Sequence, residues 1–405
     1  RAQMRITECL FFVGRTSVED RMSRNSKAKR DKKKKIKARA KNIAREEQGN
    51  KVNQISSSKK AFEKVWPEIQ NKITEEKIRQ AHHKTQYGNV KEQITADFQG
   101  YKFVAVGNQL HYGKSWKTFP DFLVGYLSNK LTAEWGNAEI AKSHDEKHQI
   151  VKLYQQLCHW QQKQSKGEGG IYRSTHTGVS AAYMQLAYDL YALDHHSKLQ
   201  AEVIKRLKNR DGYQGARYEL TVAATFIRAG FDIEHEDETD KSNKHPEFIA
   251  THKSTGQKIA VEAKSRHREG ILGRSGTPKS EIKAGINRIL NSALKKEPDF
   301  PYIICIDLNV PPIEGNVFES DIFKEVARNI DAKEKKQNGT NGFPATMYIF
   351  TNYPHHYVDS YHPDPQKTWV STLVKNSRYP FESANVVHEI NQALNQYGNI
   401  PNEFE

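Results

Sequence analysis

Residues 301–310 read PYIICIDLNV, a run so continuously apolar that it has no polar face to turn to water. Side chains alternate across a strand, so both faces of this one must be covered, as in a sheet with helices on each side. The flanking sequence supplies them. Arg217 to Ala229 has helical periodicity and stops at Gly230. FDIEHE (231–236), PEFIATH (246–252) and QKIAVEAK (257–264) follow as three strands separated by turn formers. Ser280 to Lys296 is predicted helical, Val317 to Ile330 helical again, and ATMYIFTN (345–352) a further strand. Residues 205–352 therefore run α-β-β-β-α-β and then α-β, an α/β mixed-sheet domain in a chain that is α+β overall.

Upstream, residues 61–204 are expected to form a mainly helical module. Phe119 to Lys130, Ala133 to Lys142, His148 to Gln164 and Val179 to Leu193 place apolar residues three and four apart, while YKFVAVGNQLHY (101–112) reads as two strands around Gly107-Asn108. The stretch Ala61 to Thr85 is helical with a break at Pro67, and residues 353–405 are a C-terminal extension. Trp116, Trp135 and Trp160 read as core. The pairs His82-His83, His195-His196 and His355-His356 read as surface or loop positions. No fixed repeat is present.

The net charge of +15 suggests a nucleic-acid partner, but it is unevenly spread. Of 63 Lys and Arg and 48 Asp and Glu, residues 1–60 hold 19 and 6, leaving 44 and 42 for the other 345. The basicity is a tail, densest in SKAKRDKKKKIKARAKNIAR (26–45), which is expected to be disordered or a frayed helix and to dock on phosphates. A merely solubilising or ribosome-adhering tail is the plainer alternative. Residues 1–21, ahead of Met22, are read as read-through or an expression remnant. Cys9, Cys158 and Cys305 form no CxxC pair, so neither a disulfide framework nor a thiolate zinc site is indicated. With no apolar run long enough to span a bilayer, a cytosolic protein without a membrane partner is expected.

Chemistry concentrates at QKIAVEAK. Alternation puts Ile259, Val261 and Ala263 on one face and Lys258, Ala260, Glu262 and Lys264 on the other, so one face packs while the other presents charge. A two- or four-residue turn within Lys253–Gly256 pairs residues whose numbers sum to 509, which sets Glu247 opposite Glu262 with Cβ atoms about 4.5–5.5 Å apart. Two carboxylates so placed repel, and a divalent cation between them would turn the repulsion into a binding site. Lys264, two residues along on the same face, can orient or deprotonate a water or stabilise charge building on a phosphate. Glu219 sits among Val222, Ala223, Phe226 and Ile227, on the helix face turned to the sheet, and needs a metal or a basic partner there.

These residues resemble the PD-(D/E)xK nuclease superfamily, the restriction-endonuclease-like fold, whose core order is α-β-β-β-α-β. The family's acid at the start of the second core strand matches Glu247 in His245-Pro246-Glu247-Phe248, with glutamate in place of the usual aspartate. Its (D/E)xK tripeptide matches Glu262-Ala263-Lys264, and the helix glutamate of many members matches Glu219. The resemblance spans residues 205–352. It implies Glu247, Glu262 and Lys264 as catalytic residues, Glu219, Glu247 and Glu262 as ligands of Mg²⁺ or Mn²⁺, and hydrolysis of DNA in preference to RNA, in a setting such as bacterial defence or restriction. A homo-oligomer is left open. The tripeptide alone is unspecific, since Glu75-Glu-Lys77 and Asp331-Ala-Lys333 also satisfy it. A surface ladder of Glu262 with Lys258 and Lys264 is the plainer reading. A nuclease-fold module that holds RNA or DNA without cutting is the functional alternative, and a structural protein with an anchoring tail is a third.

After the strand, a glycine-rich segment (269–278) with Arg266, Arg268, Arg274 and Lys279 around it is expected to be a mobile, nucleic-acid-binding loop that closes on phosphates. Its alternative is a flexible connector. His144 and His148 stand one helical turn apart, as zinc ligands can, but without the glutamate a metalloprotease places after the first histidine.

Overall fold

The computed structural model describes residues 26–404 except 165–166, 168–169, 172–174, 176, 198–200, 236–244, 275, 278–282, 297, 337–341 and 360–364. The chain divides after Ile78 into two compact units. In the first, the basic segment lies in one long helix, α1 (Ser26–Tyr87), which runs on past Ile78. Its lysines, arginines, alanines and glutamines lose little side-chain freedom in a helix, and that preference outweighs the like-charge repulsion. Pro67 lies inside α1 without ending it, because one missing N–H removes a single hydrogen bond from a 62-residue ladder. Residues 1–25, with Cys9 and the remnant expected ahead of Met22, lie outside the described residues.

The second unit opens with an antiparallel sheet, β1 (Ile94–Phe98), β2 (Tyr101–Val106) and β3 (Gln109–Gly113), of which the sequence reading had only the last two strands. Helices α2 (Phe119–Leu131), α3 (Ala133–Ile140), α4 (Gln149–Gln162), α5 (Gly178–His196), α6 (Ala201–Leu207) and α7 (Tyr213–Arg228) follow. Then come β4 (Phe231–His235), β5 (Phe248–His252), β6 (Lys258–Ser265), α8 (Asn287–Ala293), β7 (Tyr302–Asp307), α9 (Asp321–Lys336), β8 (Met347–Thr351), α10 (Pro365–Thr368), β9 (Trp369–Leu373) and α11 (Ala384–Asn395). The six-stranded sheet runs in chain order from β4 to β9. Its strands are antiparallel from β4 to β6, parallel from β6 to β8 and antiparallel again at β9.

Both faces of this sheet are covered, as the continuous apolar character of β7 requires. Ile259, Val261, Ala263, Ile303 and Cys305 join a core built with α2, α5 and α7, while Ile249, Ala260, Ile304 and Ile306 join a second core under Leu290 of α8 and Val326 of α9. The first core crosses position 204 without a seam, because α5 and α7 pack side by side and bury their shared flank. Residues after 352 are likewise part of the sheet and its cover: β9 pairs with β8, and α11 contributes Val386, Ile390 and Leu394 to the first core. Of the helix expected over Ser280 to Lys296, the first three residues lie outside the described ones and α8 spans Asn287–Ala293; Gly285 holds φ of +58°, a left-handed conformation that no helix continues through.

Of the paired histidines, His82 is exposed as expected, but its neighbour and the other pairs are drawn inward. His83 Nε2 lies 2.8 Å from the Val90 carbonyl, His196 Nε2 accepts from Lys91 N at 2.7 Å, and His195 and His355 are buried. His148 is also buried and caps α4, its Nδ1 accepting from Ile150 N at 3.2 Å. Burial lowers its pKa to about 4. The three tryptophans do pack against the first core.

Helices α5 and α7 are joined by a buried ion pair, Arg228 Nη2 to Asp189 Oδ1 at 3.0 Å, with 0% and 1% of the two side chains exposed. Gln185 Nε2 donates to Asp189 Oδ1 at 2.8 Å and Thr221 Oγ1 to Oδ2 at 2.9 Å. Removing one partner strands the other charge away from water. Asp189→Ala is therefore expected to lower unfolding free energy by about 3–5 kcal/mol in a denaturant titration, and Asp189→Leu with Arg228→Met to recover most of it.

Candidate active site

The hairpin from β5 to β6 has the predicted register. Phe248 faces Val261 and Ile249 faces Ala260, while His252 N donates to Gln257 O across a four-residue turn. Glu247 stands one residue before this ladder, its N–H donating to Val261 O at 3.0 Å, and its carboxylate meets that of Glu262 at a shared lysine.

An ammonium lies between the two carboxylates. Lys264 Nζ is 2.7 Å from Glu247 Oε1 and 2.9 Å from Glu262 Oε1. A second ammonium, from Lys296 just beyond α8, is 2.7 Å from Glu262 Oε2 and 3.9 Å from Glu247 Oε1. Four charged groups thus share one spot, two of each sign. Glu262 is fully buried, and burial pushes its pKa up, while Lys264 and Lys296 pull it back and Glu247 adds to the rise. For Lys264, burial alone would lower the pKa, but the carboxylates of Glu247 and Glu262 outweigh it and hold the side chain firmly as an ammonium. Lys264 therefore enters this arrangement as a donor and a positive charge, not as a base.

The face that carries Glu262 was expected to present charge while the other packed, but both faces of β6 pack. The Glu262 face is roofed by the second core, where Ala260 is also fully buried. What opens that face to solvent is the end of the strand: Lys264 is 30% exposed and Glu247 16%, so a ligand reaches the cluster there.

Glu219 takes the basic partner rather than sharing the carboxylate pair. Arg206 of α6 makes an ion pair with it, and a cavity of about 30 Å³ lined by Arg206, Glu219, His235 and Glu247 lies alongside. Burial, then the charge of Glu247, raises the Glu219 pKa to about 7 against the pull of Arg206. Among the described residues no group of three or more His, Cys, Asp or Glu is drawn together so as to hold a metal ion. What the chain does draw together is a carboxylate pair with a cation seated between its oxygens. That donor set fits a hard divalent cation, whose ligands are carboxylate oxygens and water.

The arginines beyond β6 are committed internally. Arg268 Nη1 donates to Tyr357 Oη at 3.1 Å and to Asn309 O at 3.4 Å, and its N–H donates to Gln214 Oε1 at 3.2 Å. Arg274 Nη1 lies 2.8 Å from His267 Nδ1. Arg266 packs its guanidinium against Gly285, with burial lowering its pKa. The segment is pinned to α7 through Gln214, whose Nε2 donates to the carbonyls of Arg268 and Ile271. Lys279 lies outside the described residues.

Lys296 and Arg206 were missed in the sequence. Lys296 is one of two adjacent lysines after a weak helix, with nothing to distinguish it from a surface charge. Arg206 had a signal: Glu219 on an apolar helix face requires a cation.

A carboxyl with a raised pKa binds a proton in the folded state that the unfolded chain releases. Between about pH 4.5 and 7 the Glu219 contribution to stability therefore falls as pH rises, and it is fully present below about 4.5. Glu219→Gln is expected to flatten that part of the pH dependence of the melting temperature. No family model, no curated protein and no solved structure matches this chain.

Proposed function

We propose that this chain is a metal-dependent nuclease that hydrolyses phosphodiester bonds of DNA from a PD-(D/E)xK-type core. The observation that carries the reading is the carboxylate pair Glu247 and Glu262, brought from two strands around the ammonium of Lys264. The order α7-β4-β5-β6-α8-β7 supports it. Glu247 and Glu262 would hold Mg²⁺ or Mn²⁺, with Glu219 contributing from across the cavity. When bound, the ion lowers the pKa of a coordinated water and offsets negative charge on the phosphate.

The chain's own groups account for the rest. Lys264, the most exposed member of the cluster, is aimed to donate to a phosphate oxygen and to stabilise the charge that develops as water attacks phosphorus and the leaving oxygen departs. Lys296 keeps Glu262 ionised in a place where burial favours its neutral form. Arg206 pulls Glu219 the same way, although burial and Glu247 leave its pKa at about 7.

One observation favours a second reading, a nuclease-fold module that binds RNA or DNA without cutting. Lys264 and Lys296 already balance the two carboxylates, so the cluster is neutral as it stands. The test is incubation of the purified chain with plasmid, single strands and RNA in Mg²⁺ or Mn²⁺. Cleavage is expected. Lys264→Ala is expected to reduce its rate by about 10²–10³-fold, and Glu247→Gln similarly, each assayed below its own melting temperature, because removing a charge from the buried cluster also lowers stability. Undiminished cleavage by both variants would overturn the proposal. Salt-sensitive binding with no cleavage would establish the second reading.

A further inference from the structure

The small sheet β1–β3 is built inside out. In its register Phe98 pairs with Tyr101, Ala96 with Phe103 and Ile94 with Ala105, while Phe103 pairs with Tyr112 and Ala105 with Leu110. All eight side chains therefore lie on one face. The other face carries Val104 and Val106, which belong to the first core. An antiparallel sheet with one face on a core ordinarily turns polar residues outward. Here the outward face leaves Ile94, Phe98, Leu110 and Tyr112 exposed by 62%, 63%, 62% and 64%.

The rings on that face form an open cluster. Tyr101 and Phe103 have centroids 6.3 Å apart, and Tyr112 lies 5.9 Å from each. Lys114 Nζ stands 4.6 Å from the Tyr101 centroid. No carboxylate belongs to the face: the single acid of these strands, Asp97, alternates to the opposite side, where it binds Lys102 at 2.6 Å. An exposed apolar patch of this kind marks a binding surface. Aromatic planes with a cation at the rim and no anion select a polyanion that has flat faces of its own.

We propose that this face is a stacking platform for the unpaired bases of single-stranded DNA. Every base offers a π-face to such rings, whatever its sequence, and Lys114 is placed for the backbone phosphates. DNA is favoured over RNA because only the phenols of Tyr101 and Tyr112 offer hydrogen bonds on this face, and a 2′-hydroxyl would go largely unrecognised. The inference rests on the reading of the chain as one that acts on nucleic acid, and it names the strand form that the chain engages.

The test is fluorescence anisotropy of a labelled thymidine oligonucleotide with the full chain in excess chelator, so that cleavage does not enter the measurement. Tyr112 and Phe98 are exposed enough for truncation to leave the core untouched. Tyr112→Ala and Phe98→Ala are each expected to weaken binding by about tenfold, with Tyr112→Trp restoring it. An abasic strand of the same length should bind the unaltered chain about as weakly as the thymidine strand binds the truncated ones. Equal binding by all variants, equal binding of the abasic strand, or tighter binding of the matching RNA would overturn the proposal. So would a dimer of the unaltered chain that Tyr112→Ala converts to monomer without affecting DNA binding, since a second copy would then be the occupant. A chain that binds bases through these rings but cuts nothing in Mg²⁺ would leave this inference standing and remove the nuclease reading; one that cuts DNA regardless of the rings would do the reverse.

Discussion

Glu262 has no contact with water, and a carboxylate in that position stays charged only if cations are brought to it. Two elements are arranged to do so. Lys264 follows on the same strand, and Lys296 arrives at the end of the segment that carries α8 across the second core. The crossover from β6 to β7 therefore has two tasks, to cover Ile304 and Ile306 and to deliver an ammonium. Where α8 sits, how β6 is roofed and how the cluster is neutralised are consequences of the same requirement.

The cluster also explains why the two ends of the sheet differ. From β4 to β6 the strands are antiparallel, and a four-residue turn joins β5 to β6, which is how Glu247 and Glu262 come to lie near one lysine. From β6 to β8 they are parallel, and the connections are long enough to hold helices. The charged groups gather at the strand where one pattern gives way to the other. The pocket beside Glu219 lies on the α7 side, and Lys296 reaches Glu262 from the α8 side, so Glu247 at the head of β5 is the group common to both.

Much of this was legible in the chain itself. The register rests on two strong signals, alternation in QKIAVEAK and a four-residue turn ending in glycine, and Gly256 indeed takes φ of +73° there. What alternation could not show was the second roof: Ala260 is small enough to fit either a polar strip or a packed face, and only the position of α8 decides. Lys296 and the commitments of Arg268 to Tyr357 and Asn309 depend on contacts between residues 34 to 89 positions apart, which no local pattern encodes. The basic helix shows what charge alone leaves open, because a charge count that argues against burial says little about helix propensity once long straight side chains supply the charges. At β1, ITADF was too short and too mixed to stand out, although its pairing with β2 creates the aromatic face.

β6 has a hydrogen-bonded neighbour on each edge and a core on each face, a degree of enclosure shared with β7. Its amides have no local route to solvent and exchange only when the whole unit opens. The carboxylate and lysine it carries are consequently as rigid as anything in the molecule, and adjustment to a ligand falls to the lysine tip and to the segments beyond the strand's end. Damage to this strand would strike folding and chemistry together, whereas changes on the bare face of the outer sheet leave the core beneath it in place.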